Sequence, residues 1–139
     1  MDDASILDQE ELLRRLASDE QAFVVRDTVT GERRPSSGAF KPDADGVSVY
    51  QSTLLAGAGL SPADVLTHPA NLVVGFLAAD ARAIGLGVRP DRWPPEDHGH
   101  PRGVAHALLI GFETLGKNER LRRQRQLATL PSMHFIPIG

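Results

Sequence analysis

His98-Gly99-His100 and, six residues on, His106 hold three of the chain's five imidazoles. Imidazole is the side chain that binds a divalent metal or moves a proton near neutral pH, so any chemistry of this chain is expected here. In extended backbone, residues two apart point the same way. His98 and His100 could then share one ion, with His106 or Asp97 as a third ligand. The same three histidines, His98, His100 and His106, are the candidate catalytic residues if they act instead as general acid and base. No second half of a metal site stands at a recognisable spacing, because His68 and His134 are the only other imidazoles. We therefore expect neither a resident metal nor a cofactor. The plainer alternative is a polar loop, punctuated by Pro94, Pro95 and Pro101, that does no chemistry.

That loop runs into Val104 to Phe112, which is expected to be a strand. Val104, His106, Leu108, Ile110 and Phe112 would share one face, and Ala105, Ala107, Leu109 and Gly111 the other. His106 then sits at the rim of an apolar face, where a hydrogen-bonded core histidine is the commoner outcome. Leu72 to Ala79 is apolar on both alternating faces, and its paired valines and Gly75 favour a strand in the same sheet. Shorter strands are expected at Ala22–Arg26, Val47–Tyr50, Leu86–Arg89 and, on an edge, Met133–Ile136. Helices are expected from Ile6 to Ala17 behind the cap Ser5, and near Gln51 to Ala56. Another should start at Ser61-Pro62-Ala63-Asp64, with a helical turn at Asp80–Ile84. A last helix, Glu119 to Leu130, should begin at the cap Asn118 and turn Leu121, Leu127 and Leu130 inward. The sum is a single α+β domain, residues 1–139: a mixed sheet of four to six strands covered by helices on at least one face.

At 139 residues the chain can bury a core without metal or disulfide staples. Its 41% hydrophobic and 24% charged residues are those of an ordinary globular domain, and with aromatics at 5% the core must be filled by Ala, Leu and Val. Having no cysteine excludes a disulfide framework and a thiolate metal site. The acidic start, Met1-Asp2-Asp3, is unlike a secretory signal, and no apolar run approaches the roughly 18 residues of a membrane span. A soluble cytoplasmic protein without membrane partners is expected. Arginine far outnumbers lysine, present only as Lys41 and Lys117, and with abundant Ala, Gly and Pro this fits a bacterium of high genomic GC.

The formal net charge of −3 makes nucleic acid an unexpected main partner. Residues 1–20 nonetheless hold seven acids against Arg14 and Arg15, while Arg120 to Arg125 holds four arginines and no acid. These ends could pair within the fold or across a self-association interface. The terminal arginines would otherwise give only salt-sensitive contact with phosphate backbones. Two stretches, 27–46 and 90–103, lack regular patterning and are the expected recognition loops. Arg92 and Trp93, the only tryptophan, lie side by side in the second, and these residue types are the usual interface anchors. Arg26 is the candidate anion contact, with Arg33-Arg34 and Ser36-Ser37-Gly38 following it.

The order Arg26, Ser48 with Tyr50, then Glu113 resembles the arginine–serine–glutamate arrangement of ADP-ribosyl transfer domains. That likeness implies an arginine on dinucleotide phosphates and a glutamate that orients a ribose hydroxyl. Separately, Ser37-x-x-Phe40-x-Pro42, Gly46-Val47-Ser48-Val49-Tyr50 and Ala105-His106-Ala107-Leu108-Leu109-Ile110-Gly111 resemble small uncharacterised bacterial proteins associated with conflict or defence gene clusters. This second likeness covers about residues 23 to 130. It implies an accessory or adaptor role and marks Phe40, Ser48 and His106 as positions to test. The expected function is binding of another protein through the two loops. A small enzyme built on His98, His100 and His106, or nucleic-acid contact through Arg120–Arg125, are the alternatives.

Overall fold

In a computed structural model of the chain, which describes residues 1–17 and 20–138, the two long apolar runs share a sheet. Among the described residues the strands are β1 (Glu11–Leu16), β2 (Val24–Arg26), β3 (Arg33–Pro35), β4 (Val47–Gln51), β5 (Leu72–Leu77), β6 (Gly87–Pro90), β7 (His106–Ile110) and β8 (His134–Phe135). The helices are α1 (Glu20–Phe23), α2 (Ser52–Gly57), α3 (Ala78–Ala83), α4 (Pro95–His98) and α5 (Lys117–Ala128). Six strands form one α+β sheet in the order β6-β7-β4-β1-β5-β8, and β2 pairs with β3 as a separate hairpin. The large sheet is antiparallel throughout rather than mixed. The helices between β1 and β7 have four to six residues, shorter than the crossovers that parallel neighbours require.

The segment expected as the first helix, Ile6 to Ala17, holds β1 instead. Ser5 does not cap a helix there; its amide donates to the Asp3 carboxylate at 2.8 Å in a turn. Leu12 lies opposite Gln51 and Phe76, and Leu13 opposite Tyr50 and Gly75, so β1 is flanked on both sides by strands. Cross-strand partners share a face, which sends Leu12 and Leu16 to one side and Leu13 to the other. A spacing of 12, 13 and 16 satisfies a helical stripe and a two-sided strand equally, and here tertiary pairing overrides the helical reading. Ala22 and Phe23 likewise close the short α1 rather than opening a strand, which begins at Val24. The expected loop 27–46 contains β3 and a 3-10 turn, Ser37–Phe40. It ends at Gly46, whose φ of +127° and close approach to the Leu109 carbonyl leave no room for a Cβ. Val104 and Ala105 belong to a 3-10 turn, Pro101–Ala105, so β7 starts at His106. The helix start at Ser61 is also a 3-10 turn, Pro62–Val65, whose Asp64 carboxylate accepts the Ser61 amide at 2.8 Å. The last helix starts earlier than expected, with Gly116 in place of Asn118 at its cap.

The sheet is covered on both faces. On the first, Leu12, Val49, Val74, Phe76 and Leu109 pack beneath Phe40 and beneath Leu127 of α5. Burying each such side chain contributes roughly 1.5–3 kcal/mol. The rings of Phe40 and Phe76 meet edge-on at 6.1 Å. One charge enters this layer: Arg14 donates Nε to the Ala39 carbonyl at 3.1 Å and Nη1 to the Ser48 carbonyl at 2.9 Å. Burial, with a smaller push from Arg15, lowers its pKa to about 10, so it stays protonated near neutrality and ties the 3-10 turn to β1 and β4. On the second face Leu13, Tyr50 and Val73 meet Leu55 of α2, Val65 and Ala105.

Among the described residues the acids at the start of the chain, Asp2 and Asp8, pair with Arg82 rather than with the terminal arginines. Arg82 reaches Asp8 at 2.7 Å and Asp2 at 3.1 Å, and also donates to the carbonyls of Asp3 and Ile6. The Asp3 amide in turn bonds the Val88 carbonyl at 2.8 Å, so residues 1–3 cover the free edge of β6. No helix among the described residues is long and apolar enough to cross a membrane.

Candidate functional site

Leaving β6, the chain forms the histidine-rich loop over the second face and returns at His106. Its neck is a clasp. The Asp91 amide donates to the His106 carbonyl at 2.9 Å, and His106 Nδ1 lies 2.8 Å from the Asp91 carbonyl. A carbonyl only accepts, so Nδ1 carries the hydrogen. The Asp91 carboxylate lies 3.2 Å from the same nitrogen. The His106 ring is 8% exposed and meets the ring of Tyr50, its cross-strand partner, at 5.3 Å. His106 is thus a buried, hydrogen-bonded residue at the rim of an apolar face.

Inside the neck, Trp93 is held from several sides. Its amide donates to the Gly103 carbonyl at 3.2 Å, and the Arg102 guanidinium sits 5.6 Å from its ring centre. A Cβ at Gly103 would overlap the indole, which is why a glycine stands there. The ring packs partly onto the second core, alongside Leu54 and Leu60. His100 performs a different task. Its Nδ1 accepts the Arg102 amide at 3.1 Å, capping the 3-10 turn, which leaves Nε2 facing the Asp64 carboxylate at 3.8 Å. The side chains of Asp97 and His98 lie outside the described residues. Among the described residues no group of three or more His, Asp or Glu side chains is arranged to hold a metal ion.

The arrangement makes a groove of about 660 Å³ between α2 and this loop. Leu54, Gly57 and Ala58 form one wall; Trp93, Pro94, Pro95 and Val104 form the other, with Arg92 the single charged residue of the lining among the described residues. Val104 is 36% exposed and Ala58, Pro94 and Pro95 are exposed, so the apolar walls face solvent. Arg92 and Trp93, adjacent in the chain, therefore line one surface.

Arg26 is elsewhere. It lies at the end of β2, where Nη1 donates to the Gly31 carbonyl at 3.2 Å and so closes its own hairpin. Asp27 and Glu32 share that hollow. Hydrogen bonds from the Thr30 and Val29 amides hold the Asp27 carboxyl below its usual range. The hairpin lies on the side of the first face, where Phe23 packs against the core and Arg33 sits 4.8 Å over the Phe135 ring. Ser48, opposite Leu108 on β4, belongs to the second face. Glu113 follows β7 and accepts the Gly111 amide at 3.1 Å; hydrogen bonds from its own amide and that of Gly111 lower its pKa. Arg26, Ser48 and Glu113 thus sit on three separate elements, with the sheet between the first two.

The loop 27–46 also lies over the first face, opposite the 90–103 loop. Where it meets α5 there is a second hollow of about 470 Å³, between Ser37, Gly38, Lys41 and Pro42 on one side and Lys117, Arg120, Leu121 and Gln124 on the other. Buried Gln124 fixes the junction by donating Nε2 to the Ser37 carbonyl at 3.0 Å. In the sequence Ser37-Gly38 and the terminal arginines stand far apart, and neither Lys41 nor Lys117 lies in a recognisable motif. Their scarcity was the available signal: the only two lysines in the chain line one cleft. Compared with protein-family models, curated proteins and solved structures, the chain matches none.

Proposed function

We propose that this chain is an accessory or adaptor module that binds another protein through the groove between α2 and residues 92–104. The observation that carries the reading is the groove itself, whose walls are apolar and exposed and whose one tryptophan is already immobilised. An aromatic anchor held by Gly103, Arg102 and the Asp91–His106 clasp loses little further freedom on binding, so contact energy is not spent on ordering the loop. The partner is a protein that inserts apolar side chains between Leu54, Ala58 and Pro95 and sets an acidic group near Arg92. The inward-facing, hydrogen-bonded His106 supports binding over acid–base chemistry. A bacterial, cytoplasmic and defence-linked setting, drawn from composition and resemblance, is part of the same proposal. The 27–46 segment then supplies a second surface on the other face.

The test is co-purification from the native host with three forms of the protein. Ala58→Arg places a long charge at the groove lip without touching the core, and Ala83→Arg places one at the exposed end of α3, away from the groove. Ala58→Arg should abolish capture of a partner that the unaltered chain and Ala83→Arg both retain, with thermal unfolding unchanged. Retention of every co-purifying protein by Ala58→Arg would refute the reading.

A further inference from the structure

The cleft between residues 37–42 and α5 collects positive charge that the fold does not use. Among the described residues Lys41, Lys117 and Arg120 line it, no acid does, and none of the three has a carboxylate partner. The nearby Glu119 is engaged on the helix's other flank, 3.8 Å from Arg122. Three like charges around one hollow repel each other, and an anion placed between them relieves that repulsion. Ser37 and Gly38 add a hydroxyl and a backbone edge, while Pro42 and Leu121, both half-buried, form an apolar wall. Gly116 at the helix cap offers no side-chain oxygen to the first amides of α5, and the acid of its first turn, Glu119, lies beside Arg122. The volume, about 470 Å³, falls within the range of small-ligand pockets.

From these features we infer that the cleft binds a phosphate ester of mononucleotide size. Its phosphate lies among Lys41, Lys117 and Arg120, and its carbon skeleton lies against Pro42 and Leu121. Guanidinium and ammonium donors make charge-assisted hydrogen bonds to phosphate oxygens, and the apolar wall distinguishes an ester from the bare ion. The groove at Trp93 lies over the opposite face, so this inference stands or falls independently of the proposed protein partner.

Calorimetric titration at about 0.15 M salt, in buffer free of phosphate, tests it with AMP, pyrophosphate, adenosine and citrate as probes. AMP should bind at a single site and more tightly than pyrophosphate, adenosine and citrate. Removing two charges from the cleft, with Lys117→Gln and Arg120→Gln together, should weaken AMP by about tenfold or more. Removing the same charge from the other flank of the helix, with Arg122→Gln and Arg125→Gln, should change the affinity by less than about twofold, because exposed charges a Debye length away are screened. All four positions are at the surface of one helix, so unchanged circular dichroism shows that each variant is folded. The inference is overturned if AMP does not bind. It is overturned also if citrate or pyrophosphate binds as tightly as AMP, or if both double variants weaken AMP equally. Binding of a single-stranded oligonucleotide without binding of AMP would point to a diffuse basic surface and overturn it too.

Discussion

Beneath α5 the sheet meets a broad aliphatic layer in which many residues each contribute modest burial, centred on Phe40, Phe76, Leu109 and Leu127. Beneath α2 the apolar layer is small, and the loop above it is fastened by individual contacts: Asp91 to His106, Trp93 to Gly103, and His100 to Asp64. Burial is non-directional and tolerant of small shifts, whereas hydrogen bonds and close ring contacts are lost one at a time when a partner changes. The two faces should therefore fail in different ways. Damage to the first lowers the stability of the whole sheet, and damage to the second releases a loop while the sheet persists. The proposed protein-binding groove lies on the face whose parts can be loosened separately. The anion cleft lies on the face that cannot.

The sharpest test of that contrast is Phe76→Ala, which should lower global stability by about 3–5 kcal/mol in chemical denaturation. A loss below about 1 kcal/mol would mean that the first face is not the principal core. Next comes Gly103→Ala, which drives a methyl into Trp93 and should cost about 1–3 kcal/mol. Amide exchange should accelerate across residues 91–105 and stay slow in β1 and β5; uniform acceleration would erase the distinction between the faces. His106→Leu removes the donor to Asp91 and should cost about 1–2 kcal/mol, again read as faster exchange at the loop neck.

Acid supplies the smallest effect and a control outside both layers. Burial works against ionisation of Asp2, but hydrogen bonds from the Val88 amide and Arg82 outweigh it and hold its pKa below the usual value. A carboxylate with a depressed folded-state pKa stabilises the fold above its unfolded value, and that contribution disappears as the pH falls through the folded one. Residues 1–8 should thus loosen from β6 and Arg82 below about pH 4, at a cost no greater than about 1 kcal/mol for so exposed a pair. Chemical shifts of the Asp3 and Val88 amides report the change, and Asp2→Asn should abolish it. Movement of amides in β1 or β7 over the same range would show that the edge is coupled to the core.

Much of the sheet is readable along the chain. Leu72–Leu77 and Ala107–Ile110 are unbroken apolar runs because strands covered on both faces need apolar residues at nearly every position. The proposed binding residues are partly readable as well, since Arg92 and Trp93 are neighbours and their residue types are those of interface anchors. What misled was β1, where Leu12, Leu13 and Leu16 fit a helical stripe as well as a strand inserted between two others. The α2 wall of the groove and the cleft shared by Lys41 and Lys117 were invisible for a related reason, because their parts come from distant stretches of chain.

Local pattern by itself determined the α+β class, the two apolar strands, the terminal helix and the adjacency of Arg92 and Trp93. Each of these depends on residues a few positions apart, which feel the same backbone periodicity. Only the tertiary structure decided that residues 11–16 are the strand between β4 and β5, that the two irregular loops lie over opposite faces, and that two isolated lysines meet. Those outcomes depend on which distant strand supplies hydrogen bonds to which edge, a choice made by long-range register and packing rather than by any local spacing.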